Sequence, residues 1–82
     1  MDIYNKVDYR IIELSRYPRD ISIKALVITD GKLVNSHGIE VEKSYPFLNT
    51  VKVRGPAKAL VELAKDRNVK YIALCGVIGE ED

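Results

Sequence analysis

Tryptophan is absent from this 82-residue chain, and cysteine, histidine, phenylalanine and methionine occur once each, as Cys75, His37, Phe47 and Met1. A single cysteine excludes an internal disulfide and suits a reducing compartment, and one cysteine with one histidine is a poor donor set for a transition metal. Neither sign of charge is in excess: thirteen Lys and Arg against twelve Asp and Glu leave a net charge of +1. The overall pull toward nucleic acid or acidic lipid is therefore weak, and any such binding needs a local patch. No apolar run approaches the ~20 residues that span a bilayer. The opening MDIYNKVD has neither the basic start nor the apolar stretch of a signal peptide. A cytoplasmic protein with no membrane partner is expected. Repeats, low-complexity stretches and composition shifts are missing too, so residues 1–82 read as one domain. A domain of this size buries roughly 60 to 65% of its unfolded surface.

What is present is clearest between Thr50 and Gly79. Val51 and Val53 alternate with Lys52 and Arg54, the period of a strand with one buried and one wet face. Gly55 breaks that strand and Pro56 suits a helix start. Ala57, Leu60, Val61 and Ala64 then form an apolar stripe, with Lys58, Glu62, Lys65 and Asp66 opposite. Lys58 and Glu62, one turn apart, are placed to pair. Asn68 is a candidate left-handed stop. Tyr71 to Ile78 is almost unbroken apolar sequence, which predicts a strand buried on both faces at the centre of a sheet. Strand, helix and strand together predict a right-handed crossover.

The run Val51-Lys52-Val53-Arg54-Gly55 with Ala57 behind it resembles the strand-to-helix junction of the Alba family of archaeal chromatin and RNA-binding proteins, although Pro56 stands where that family usually carries a further basic residue. The same region, with Ala73-Leu74 and Val77-Ile78-Gly79, is similar to the core of lumazine synthase, but the phosphate-binding arginine of that enzyme has no counterpart near Ile78. Each likeness covers about a third of the chain or less, and the segment before Val51 fits neither family. Two unrelated families meeting on one stretch define a strand-helix-strand pattern and carry no function over.

Toward the N-terminus two periods compete. Ile3, Val7, Ile11 and Leu14 make a helical stripe, while Val7, Tyr9 and Ile11 alternate with Asp8 and Arg10 in a segment rich in β-branched and aromatic residues; the strand reading, Val7 to Leu14, is preferred. Tyr17-Pro18-Arg19-Asp20 is a turn. Asp30-Gly31, flanked by Ile21–Thr29 and Lys32–Ser36, predicts a two-residue hairpin with Thr29 opposite Lys32 and Lys24 opposite His37. Ile39 to Glu42 reads as a short edge strand guarded by its glutamates. Tyr45-Pro46-Phe47 is an irregular link whose two aromatics need somewhere to pack. The expected fold is α+β: a small mixed β-sheet with a hairpin over about 21–36 and a C-terminal right-handed βαβ unit over about 50–78, its helix, 56–67, packed on one face.

No catalytic set can be assembled and no cofactor is implied. His37 is read as a surface loop residue and Cys75 as a buried, inert thiol. Glu80, Glu81 and Asp82 read as a solvated acidic tail, with Mg²⁺ binding the sharper alternative. The best anion site is Arg54 and Gly55 at the start of the helix, with Ala57 and Lys58 offering free N–H groups and charge. The plainer reading of the same residues is a chain turn beside an outward-facing arginine. Arg10, Arg16, Arg19 and Lys24 form a basic patch if they line up across the first two strands, against interspersed Asp8, Glu13 and Asp20. Three functions fit: a non-enzymatic interaction module of unknown partner, a nucleic-acid-binding protein using the Arg54 loop and the basic N-terminal strand, or a small enzyme or carrier for a phosphorylated metabolite. Unpaired edges on the 21–36 hairpin further suggest a homodimer.

Overall fold

A computed structural model describes residues 3–30 and 38–81, with Glu80 and Glu81 as backbone. The chain is α+β, as its periodicities predict. A 3-10 turn, Ile3–Lys6, leads into helix α1 (Tyr9–Ser15); β1 (Asp20–Thr29), β2 (Glu40–Tyr45) and β3 (Thr50–Pro56) follow, then α2 (Ala57–Leu63) and β4 (Val69–Glu81). The four strands form one sheet in the order β2-β3-β1-β4, and every neighbouring pair is antiparallel. The expected mixed sheet is corrected in this respect: β3 and β4 do run parallel on either side of α2, but β1 lies between them and bonds to both. The hairpin of the described residues is β2–β3, closed by a 3-10 turn at Pro46–Leu48 and by Asn49 in the left-handed conformation. The second arm of the hairpin expected over 21–36 lies outside the described residues, as do His37 and Asp82.

The sheet's core strand is β1. Ile21, Ile23, Ala25 and Val27 are buried on one face, where they meet Val53 of β3, Ile72 of β4, Ile11 and Ile12 of α1, and Ala57, Leu60 and Leu63 of α2. Both helices pack on this face and against one another. Residues 22, 24, 26 and 28 point the other way, where no described helix covers the sheet. Among the described residues no helix is long and apolar enough to cross a membrane.

The segment expected as a strand over Val7–Leu14 is helical, and Asp8 explains why. As the N-cap it accepts the Arg10 backbone N–H at 3.0 Å with Oδ1, and it binds the Arg10 guanidinium through both oxygens, at 3.2 Å and 2.8 Å. Its carboxylate also accepts the Leu74 N–H at 3.2 Å, while its own N–H donates to the Ile72 carbonyl at 2.8 Å. Val7 beside it bridges Ile72 in parallel fashion. A seven-residue helix is marginal in isolation. Here the cap and the burial of Val7, Ile11 and Ile12 override the β-branched composition that argued for a strand. Pro18 prevents the helix from running on.

At the other end of the chain, β4 is an edge strand and not the buried centre that its apolar run suggested. Val77 is 55% exposed and Cys75 is exposed, so the expectation of a buried thiol is also overturned. Register shifts between Lys24 and Ala25 and between Ser22 and Ile23 leave Cys75 and Ile78 as extra residues in β4, breaking the alternation that would have marked a one-sided strand. Asn68 is not left-handed: among the described residues only Asn49 and two glycines have positive φ. Instead α2 closes through tightened bonds, Lys65 N–H to the Glu62 carbonyl and Asp66 N–H to that of Leu63, both 3.0 Å. Glu62 pairs with Lys65 at 2.9 Å, and Lys58 reaches Asp20 at 3.8 Å. Finally, β1 is interior among the described strands, so it does not itself offer the open edge that suggested a homodimer; the edges of the described sheet are β2 and β4.

Two outcomes test this arrangement. The Arg10 guanidinium and the N–H groups of Arg10 and Leu74 hold the Asp8 carboxyl down at about 2, below its ordinary 3.8. A carboxyl lowered in the folded state adds stability that is complete above its unfolded pKa and disappears as pH falls through the folded one. Urea unfolding of wild type should therefore weaken between about pH 4 and pH 2 relative to Asp8→Asn, and Asp8→Ala should cost roughly 2 to 3 kcal/mol at pH 7 from the lost cap and the stranded Leu74 N–H. Separately, Cys75 should react with an aromatic disulfide reagent about as fast in the folded protein as in denaturant; strong native protection would return β4 to the interior.

Candidate nucleic-acid interface

Antiparallel pairing sets opposed residues on the same side of a sheet, so the register defines the face that the helices leave uncovered. One row runs Tyr45–Thr50–Ile28–Tyr71 across all four strands, the next Lys43–Lys52–Leu26–Ala73, and the third Glu40–Arg54–Lys24–Gly76. Four cations thus gather on two adjacent rows with Glu40 and Glu42, under a row with a tyrosine at either end. Lys24 is 3.9 Å from the Glu42 carboxylate, and the Lys43 ammonium stands 5.2 Å from the centre of the Tyr45 ring. Lys52 and Arg54, side by side on interior strand β3, have no ion-pair partner among the described residues.

Gly55 helps to fix this layout. A Cβ built on it would stand 2.6 Å from the Gly38 carbonyl oxygen and 3.3 Å from the Ile39 Cα, so the chain entering β2 passes against β3 where only glycine fits. A shallow cleft of about 270 Å³ opens there, lined by Ser22, Gly38, Glu40, Arg54, Gly55 and Pro56. Arg54 pairs with Lys24 and therefore points to the open face, away from α2.

The residues proposed from sequence as an anion site are distributed differently. Arg54 and Gly55 share the cleft, whereas Ala57 is buried in the core and Lys58 lies on α2 beside Asp20. The α2 helix is short, and its cap, Pro56, offers no side-chain bond. The four residues proposed as a basic patch are also separated: Arg10 is tied to Asp8 on α1, Arg16 caps the end of α1, Arg19 lies in the following turn, and Lys24 is on the opposite face of the sheet. Across the two sets, Arg54 and Lys24 are the charged members that come together.

Sequence reading missed Lys43, Lys52, Tyr45 and Tyr71. The alternation at 51–54 had already placed Lys52 and Arg54 on one side; which strands flank them, and so which tyrosines share their face, depends on pairing that one sequence does not encode locally.

Phe47, expected from the sequence to pack somewhere, does not. It is 100% exposed at the tip of the β2–β3 hairpin, with Leu48 68% exposed beside it, so it finds no packing partner among the described residues. The tip is nonetheless well tied down: Thr29 N–H donates to the Asn49 carbonyl at 2.8 Å, Asn49 N–H to that of Pro46 at 3.2 Å, and the Thr50 hydroxyl to that of Leu48 at 2.8 Å.

Among the described residues no group of three or more His, Cys, Asp or Glu could hold a metal ion. No protein-family model, curated protein or solved structure matches the chain, so function rests on the geometry of these faces.

The glycine contact yields a direct check. Gly55→Ala should destabilise the protein by about 1 to 3 kcal/mol, as overpacking does when backbone must give way. Gly76→Ala, where an added methyl meets nothing within 4 Å, serves as the neutral control in a thermal melt.

Proposed function

We propose that the protein binds single-stranded nucleic acid on the open face of its sheet. The observation that carries this reading is the pair Lys52 and Arg54, two cations without an ion-pair partner among the described residues, about 7 Å apart along an interior strand and framed by Tyr45 and Tyr71. An extended strand offers regularly spaced phosphates that such a pair can neutralise, and unstacked bases can lie on tyrosine rings at roughly 1 to 3 kcal/mol each. A four-stranded sheet face is too broad to enter a duplex groove and suits exposed bases. The near-zero net charge is compatible, because the cations are concentrated locally on one face.

A second reading, a non-enzymatic interaction module, is favoured by Phe47 and Leu48, which a well-bonded hairpin tip presents to solvent. Exposed aromatics on a rigid support are the usual anchors of protein interfaces.

Titration of labelled mixed-sequence RNA and DNA 12-mers at low and moderate salt separates the two. Wild type should bind with a salt slope near −2 to −3, about 0.7 for each of three or four phosphates. Lys52→Glu with Arg54→Glu should lower affinity by more than tenfold, and Tyr71→Ala by about fivefold or more. Arg16→Glu, on the helix side, should leave it unchanged. The RNA and DNA arms report whether a 2′-hydroxyl is read. Failure of wild type to bind either strand at low salt would sink this reading and leave the interaction module.

A further inference from the structure

A second basic feature lies at the sheet end that carries Tyr71. Lys6, Arg67, Val69 and Lys70 line a cleft of about 200 Å³ where the N-terminal 3-10 turn meets the turn into β4. That is smaller than the ~300–1,000 Å³ of sites for whole small molecules, and it suits a single charged group. The walls are fixed by short-range bonds. Lys6 Nζ donates to the Asp66 carbonyl at 3.0 Å, Val69 N–H donates to the same oxygen at 3.0 Å, and Asp30 N–H donates to the Asn68 carbonyl at 2.6 Å. The ammonium of Lys6 is thereby held at the cleft with donors to spare.

The neighbouring acids are largely engaged. The Asp66 carboxylate accepts the Asn68 N–H at 2.9 Å, and the Asp30 carboxylate faces Lys70 at 3.3 Å. The latter contact is exposed on both sides, a kind of pair that contributes at most about 1 kcal/mol and yields to a stronger anion. Arg67 has no ion-pair partner among the described residues. Its planar fork matches phosphate oxygens in pairs.

Resting on the single-strand reading above, we propose that this cleft holds a backbone phosphate of the same strand, next to the nucleotide whose base lies on Tyr71. Lys70 precedes Tyr71 directly, so the ring and the cleft are one residue apart on the backbone. The strand then crosses the Tyr45–Tyr71 row and turns over the end of the sheet at Arg67.

The test uses the full chain and the same RNA and DNA 12-mers. Arg67→Gln should reduce the salt slope by about 0.7, the share of one phosphate on a single strand, and weaken binding several-fold at low salt, with no change in melting temperature. Arg67→Lys should keep most of the slope while losing part of the affinity, because charge survives without the paired geometry. An unchanged slope in Arg67→Gln, with Lys52→Glu and Arg54→Glu still abolishing binding, would overturn the cleft and leave the open face standing. A slope change in Arg67→Gln with Tyr71→Ala fully active would also overturn it, since the cleft would then act apart from the base platform.

Discussion

The carboxylate of Asp8 governs the architecture more than any other single group. It caps α1, grips the Arg10 guanidinium and accepts the Leu74 N–H, so one side chain joins the N-terminal segment to the last strand across most of the chain's length. Bonds to a charged acceptor are stronger than neutral ones, and the lowered pKa of Asp8 reports the same attraction. Asp8 also closes part of the β4 edge: Ile72 and Leu74, whose outward N–H and C=O would invite another strand, already bond to residue 8. Because α1 starts from that point, it lies over the face that α2 covers. Both helices then share one core, and the opposite face is left without a helix.

That asymmetry explains how a chain of net charge +1 can present a basic surface. Alternation in β1 and β3 sorts residues by parity. Val51, Val53 and Gly55 go inward with Ile23, Ala25 and Val27; Lys52 and Arg54 go outward with Lys24. Many acids lie elsewhere: Glu13 on α1, Asp20 at the start of β1 near α2, Glu62 on α2. The open face keeps Glu40 and Glu42, of which Glu42 is matched by Lys24.

Elements whose pattern is local were legible. The strand at 51–54, the strand at Ile21–Thr29 and the charged edge at Ile39–Glu42 all lie close to where their periodicity put them, and so does the helix, although the strand runs on through Gly55 and Pro56 where a break was expected and the helix covers Ala57–Leu63 and not 56–67. The failures share a cause, which is that burial depends on neighbours far away in sequence. Tyr71 to Ile78 is apolar without being central, because one side packs on the core while bulges at Cys75 and Ile78 turn other residues to solvent. Residues 7–14 carry both periods, and the choice between them is made by an N-cap whose third partner, Leu74, is 66 positions away. For the candidate site, Arg54 and Lys24 were legible as charged residues on strands; their assembly with Lys43, Lys52 and two tyrosines required strand order.

Register is what keeps that assembly in place. A slip of one residue between β2 and β3 would turn Lys43 and Tyr45 to the other side of the sheet. Two features oppose such a slip. Gly55 lets the chain at Gly38 and Ile39 lie directly against β3, which fixes where β2 begins, and Asn49, left-handed at the far end, fixes where the hairpin turns. Between those two anchors β2 carries one residue more than β3, and the surplus is absorbed as a bulge between Val41 and Lys43. The bulge returns Lys43 to the side of Lys52 and leaves Glu42 within reach of Lys24. The face therefore depends on backbone geometry at Gly55 and Asn49, two positions that do not themselves contribute charge.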